Sequence, residues 1–153
     1  FYFEIKDQFF EAFTFSDVEY ADISAIATLK KHGDNISLNL MVKGYVNQLA
    51  CDICTDELSM EISAETNVII KKTSQDLEST DEIFYIKENE NQINLKQLIF
   101  ELIILNVPKK RQHALDKHGK STCNKEMIDL LNKYTKIRKQ VSDPRWDALR
   151  NLK

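Results

Sequence analysis

Three glycines, two prolines, three cysteines and one tryptophan are all that the 153 residues contain of those types. So little Gly and Pro argues against long disordered linkers. Gly33, Gly44 and Gly119 lie far apart, so no glycine-rich loop can cradle a phosphate. A Gly-x-Ser-x-Gly elbow is missing as well. No run of 18 apolar residues exists, so no membrane span is expected. The opening stretch FYFEIKDQFF has neither a basic n-region nor a small-residue cleavage site, so no secretory signal is expected. It also starts without Met, which leaves room for a native N-terminal piece. An odd cysteine count argues against a disulfide-stapled secreted domain, so a reducing, cytoplasmic setting is expected.

What is present is ordinary in amount and uneven in placement. A composition of 42% hydrophobic and 29% charged residues fits one soluble globular domain, 1–153. Residues 1–95 hold 7 Lys and Arg against 18 Asp and Glu, a net of −11. Residues 96–153 hold 14 against 6, a net of +8. The basic third can meet a polyanion or the acidic part of its own fold.

Residues 1–92 read as strand-rich and 93–153 as helical and basic. Ile23, Ala25, Ala27 and Leu29 share one face of a first strand, and His32-Gly33-Asp34-Asn35 supplies a hairpin turn. Ile36, Leu38, Leu40 and Val42 share the face of a second, and Leu58, Met60, Ile62, Ala64, Val68 and Ile70 that of a third. Such period-two alternation marks half-buried, usually antiparallel strands. EIFYI offers a short edge strand after an acidic loop, and DQFFEAF a short helix. The period then changes. INLKQLIFELIILNVP is apolar at helical spacing, with Asn94 as N-cap, Gln97 at the capping-box position and Pro108 as its stop. A basic loop, 109–122, precedes a helix with Met127, Leu130, Leu131, Tyr134, Ile137 and Val141 on one stripe. A last short helix has Asp143 as N-cap, Pro144 at N1, and Trp146 and Leu149 on one face. The fold class is therefore α+β: an antiparallel β meander with C-terminal helices packed on it.

Cys51 and Cys54 carry most of the chemistry. Two thiolates at Cys-x-x-Cys spacing on a tight turn between strands can both point at one tetrahedral ion. Cys123, at the start of a helix, is a third candidate ligand, and His113 or His118 a fourth. Free buried thiols without metal fit the residues equally well. A redox dithiol fits less well, because TDELSMEIS continues as a strand where a helix is needed. No histidine sits near an obvious nucleophile, so no enzyme is expected.

VKGYV, CDIC, INLKQLIFELIILNVPKKRQH, CNKEM and a terminal DPRWDALRNLK, in that order over residues 42–153, resemble the YceD family, named for accumulation of the large ribosomal RNA. The resemblance implies a small zinc knuckle and favours His113, which ends KKRQH, as the partner of Cys51, Cys54 and Cys123. It also implies a non-enzymatic role in large-subunit biogenesis. The partners would be the large ribosomal subunit precursor, through 23S rRNA, a large-subunit ribosomal protein, or both. A chaperone-like module that holds a basic ribosomal protein without RNA contact is the alternative. Under the RNA reading Lys109, Lys110, Arg111, Lys117, Lys120, Arg145 and Arg150 would contact phosphates, and Trp146 would serve as core anchor or stacking residue.

Overall fold

The structure, a computed structural model, describes residues 1–136 except Phe15, Asp34 and Asp81. The expected C-terminal helix on Asp143, Pro144, Trp146 and Leu149 lies outside the described residues, as do Ile137 and Val141 of the preceding stripe and Arg145 and Arg150. The chain divides into two compact units. The first comprises Phe1–Ala50 and Glu57–Arg111; the second comprises Cys51–Asp56 and the residues from Gln112 onward.

The first unit is built on a five-stranded sheet in the order β1-β2-β3-β4-β5. Its elements are β1 (Tyr2–Ile5), α1 (Asp7–Phe10), β2 (Tyr20–His32), β3 (Asn35–Ala50), β4 (Glu57–Thr73), β5 (Ile83–Lys87) and α2 (Lys96–Asn106). The period-two pattern becomes the register directly. Ala25, Val42 and Ala64 form one cross-strand row, and Leu38 pairs Val68. Ile23, Ala25, Leu38, Leu40, Val42, Ile62 and Ile70 are buried on one face, and α2 adds Ile99, Leu102 and Ile103 to the same core. Phe13 stacks on Phe100 at 3.8 Å and 7°, joining the segment after α1 to α2. No charged or polar residue is buried among the described residues.

Two expectations change. The edge strand β5 runs parallel to β4, pairing Ile69 with Ile83 and Thr73 with Lys87, so the sheet is mixed and mostly antiparallel. The nine-residue link, 74–82, has to return only about 13 Å to the level of Ile69, well within its reach. The capping box at α2 does not close. The Asn94 side chain accepts the Lys96 N–H at 2.9 Å, but Gln97 turns along the helix to donate to Glu101 at 2.7 Å. The helix ends at Val107, which is extended (ψ 123) as a residue before proline must be. Of the two long helices, α2 lies on the sheet's buried face. The other, α3 (Lys125–Lys136), belongs to the second unit, and its Leu130, Leu131 and Tyr134 are exposed. β1 is an addition that the alternation did not announce.

Gly44 sits in the middle of β3, opposite Ile23. A Cβ there would lie 2.1 Å from the Asp22 carbonyl oxygen and 2.6 Å from the Ile23 Cα, so the strand can pass only without a side chain. Gly44→Ala is expected to cost about 1–3 kcal/mol by overpacking, read as a lower midpoint in chemical denaturation. An unchanged midpoint would mean that β2 and β3 do not approach this closely.

Candidate metal centre

The second unit begins with the six residues that link β3 to β4. Cys51 N–H donates to the Asp56 carbonyl at 3.0 Å and Thr55 N–H to the Cys51 carbonyl at 2.9 Å, closing a tight knuckle. Thr55 takes φ 62, a left-handed conformation that costs a β-branched residue about 1–2 kcal/mol. The turn is thereby forced, and both Cys51 and Cys54 are buried.

The other half of the site comes from the loop before α3. Leu115 bridges Ser121 in a short antiparallel contact. Between them the Asp116 carboxylate accepts the N–H groups of His118 and Lys120, each at 2.8 Å, while Gly119 takes φ 74. Thr122 Oγ1 donates to the Ala114 carbonyl at 2.7 Å. These bonds fold the loop back on itself, so that His113 and Cys123, at its two ends, come together. Asn124 then caps α3, its side chain accepting Glu126 N–H at 3.0 Å.

Cys51, Cys54, His113 and Cys123 each bring one ligand atom into a group whose members all lie within 4.8 Å of one another. Cys51 Sγ lies 3.7 Å from Cys123 Sγ, too far for a disulfide, and all three cysteines are free. His113 Nδ1 lies 3.4 Å from Cys54 Sγ and 3.6 Å from Cys123 Sγ. Such a set of soft donors could hold a metal ion. Burial pushes the Cys51 thiol up, but the backbone N–H groups of Cys54, Ile53 and His113 outweigh it and bring it down to about 6. The Ser121 hydroxyl lowers Cys123, opposed by burial and assisted by the His113 ring. Cys54 is raised, chiefly by burial. Backbone donors aimed at sulfur favour thiolate, the ligand form.

Of the two candidate histidines, His113 stands in this group, while His118 is exposed in the Asp116 turn. The candidate phosphate contacts among the described residues are divided between the two units. Lys109 and Lys110 are exposed in the first unit, and Lys117 and Lys120 are exposed in the second. Arg111 is half-buried, with its guanidinium 3.9 Å from the Asp17 carboxylate. The residues that sequence reasoning missed are Asp116, Ser121 and the backbone donors at 53, 54 and 113. Only the Asp-x-x-Gly turn signal at 116–119 pointed toward them. Asp116→Ala should loosen this loop by about 1 kcal/mol, read as about fivefold faster exchange of the His118 and Lys120 amides. Unchanged exchange would show that the backbone alone holds the turn.

Among the described residues no helix is long and apolar enough to cross a membrane. No curated protein and no solved structure matches the chain. Residues 38–153 match the family described as large ribosomal RNA subunit accumulation protein YceD. That stretch runs from the early part of β3 through the Cys-x-x-Cys turn, α2, His113 and Cys123, and it covers more than half of the chain: this protein belongs to the YceD family.

Proposed function

We propose that the protein is a non-enzymatic, cytoplasmic factor that supports accumulation of 23S rRNA by binding the precursor of the large ribosomal subunit. The observation that carries this reading is the family match over residues 38–153. It runs through both units, which supports treating them as one YceD domain. Deletion in the parent cell should lower 23S relative to 16S rRNA and leave large-subunit precursors behind. Normal rRNA ratios would overturn the reading.

Zinc is the resident ion in this proposal, held by Cys51, Cys54, His113 and Cys123. A tetrahedral zinc ion with Zn–S bonds of about 2.3 Å and a Zn–N bond of about 2.0–2.1 Å has S···S edges of about 3.8 Å and S···N edges of about 3.6 Å. The separations here, 3.7 Å for sulfur to sulfur and 3.4 and 3.6 Å for nitrogen to sulfur, fit those edges. Four protein donors leave no open position, the pattern of a structural rather than a catalytic site. Zinc there would cross-link positions up to 72 residues apart, so its binding energy becomes folding energy. Purified protein should carry one equivalent of zinc, Cys123→Ser should carry far less, and a chelator should lower the unfolding midpoint. Well under one equivalent in the unaltered protein would count against the site.

Contact with precursor RNA would come from exposed lysines on both units. The second unit carries 10 Lys and Arg against 7 Asp and Glu, a net of +3, which supports an RNA-facing role. Arg145 and Arg150 fall in this basic unit by sequence. Replacing Lys109, Lys110, Lys117 and Lys120 with Ala should weaken association with precursor particles. It should also flatten the log–log salt dependence by about 0.7–0.9 for each phosphate no longer neutralised. Arg111 is left out because it is engaged with Asp17. An unchanged slope would favour the second reading, a holder for a basic ribosomal protein. That reading draws on the first unit, whose 11 Lys and Arg against 17 Asp and Glu leave a net of −6.

A further inference from the structure

The helices α1 and α2 contribute their buried residues to one side of the sheet. The other side is uncovered along β2, β3 and β4, where every second residue is exposed or half-exposed. On that open face three adjacent strands present Tyr20 and Asp22 from β2, Tyr45 from β3 and Glu61 from β4. Asp22 stands directly opposite Tyr45, and Tyr45 directly opposite Glu61. The Tyr45 ring is therefore flanked by two carboxylates on neighbouring strands, with Cβ atoms about 4.5–5.5 Å away on each side. Tyr45 is 51% exposed and Tyr20 40%, so both rings face solvent.

An exposed aromatic face between carboxylates suits one kind of guest best. A guanidinium is planar, stacks on a tyrosine ring, and can fork two N–H donors onto a carboxylate beside it. Glu61 forms no ion pair among the described residues, so its carboxylate is open to such a fork. Asp22 is paired with Lys6 at 2.7 Å, but both partners are well exposed, and surface pairs of this kind exchange readily. Lys43, two residues before Tyr45, is a further cation on the same face. On the far side of Tyr45 the strand continues to Asn47, opposite Tyr20, with Asp17 and Glu19 just before β2. Nucleic acid fits this patch poorly, because its phosphates would meet Asp22 and Glu61 in a unit of net −6.

We propose that the open face around Tyr45 docks an arginine-bearing, basic segment of a protein partner. The site itself stands on the sheet geometry. That the partner is a protein of the large-subunit precursor rests on the function proposed above.

The test uses the full chain as purified and a fluorescent octapeptide containing four arginines, followed by anisotropy at about 0.1 M salt. Glu61→Gln and Tyr45→Ala should each weaken binding by about fivefold or more. Glu78→Gln, which removes an exposed carboxylate from the 74–82 link, should change it less than about twofold. The lysine version of the peptide should bind more weakly, since an ammonium cannot stack or fork. A single-stranded RNA oligonucleotide should not compete. Equal affinity in the unaltered protein, Glu61→Gln and Tyr45→Ala would overturn the proposal, as would RNA that displaces the peptide. Both substitutions are on the surface, so an unchanged unfolding midpoint separates lost docking from lost fold. Failure of the unaltered protein to associate with large-subunit precursors would remove the assembly reading and leave the peptide result, and the site, standing.

Discussion

Three sulfurs and an imidazole nitrogen held within 4.8 Å of one another are the constraint on which the second unit depends. Thiolates crowded together and taken out of water repel, so something positive must face them. Here backbone N–H groups supply part of that charge at Cys51, and the Ser121 hydroxyl and His113 ring supply it at Cys123. The strained turn at Thr55 and the Asp116-centred loop make sense in this light. Each gives up local conformational freedom to deliver ligand atoms from segments 59 and 72 residues apart in the chain. The preorganised donors also favour the charged form of Cys51 and Cys123, the form that binds a cation, while burial holds Cys54 the other way.

The first unit solves a different problem. Its three long strands exceed the usual length for a small domain, and only one face is needed for the core. Small alanines at 21, 25 and 27 on β2 let that face pack closely, while the opposite face keeps tyrosines and carboxylates in water. The charge imbalance of the sequence therefore maps onto the two units. The acidic excess lies with the sheet and the basic excess with the sulfur-rich unit. Under the two proposals above, lysines would meet precursor RNA and the aromatic, acidic sheet face a basic protein segment.

Much of the sheet was legible because burial on one face imprints a period of two. Ile36, Leu38, Leu40 and Val42, and Leu58, Ile62, Val68 and Ile70, could be read as strands with known inward faces from spacing alone. Pro108 likewise marks the end of α2, since a residue before proline avoids the helical region. The apolar residues of β5 announced a strand but not its direction. Direction follows from where the loop returns, and hydropathy carries no record of that. The half-burial of Arg111 and the exposure of Leu130, Leu131 and Tyr134 on α3 were hidden for a similar reason. Both depend on what else is near, not on the residue's own chemistry.

Residue spacing was enough for the α+β class, the strands of the central hairpins, the Cys-x-x-Cys turn and the family. These follow from spacing within one short segment, where the period of the backbone decides which side chains share a face. Residue spacing left His113 and His118 open and the family resemblance favoured His113; the tertiary structure brings His113 to Cys51, Cys54 and Cys123. The two histidines are five residues apart in one basic loop, and only the fold-back around Asp116 turns one toward the sulfurs and leaves the other in water. The setting of Tyr45 between Asp22 and Glu61 was decided in the same way, because a cross-strand neighbour is created by register between distant segments and by nothing in either segment alone.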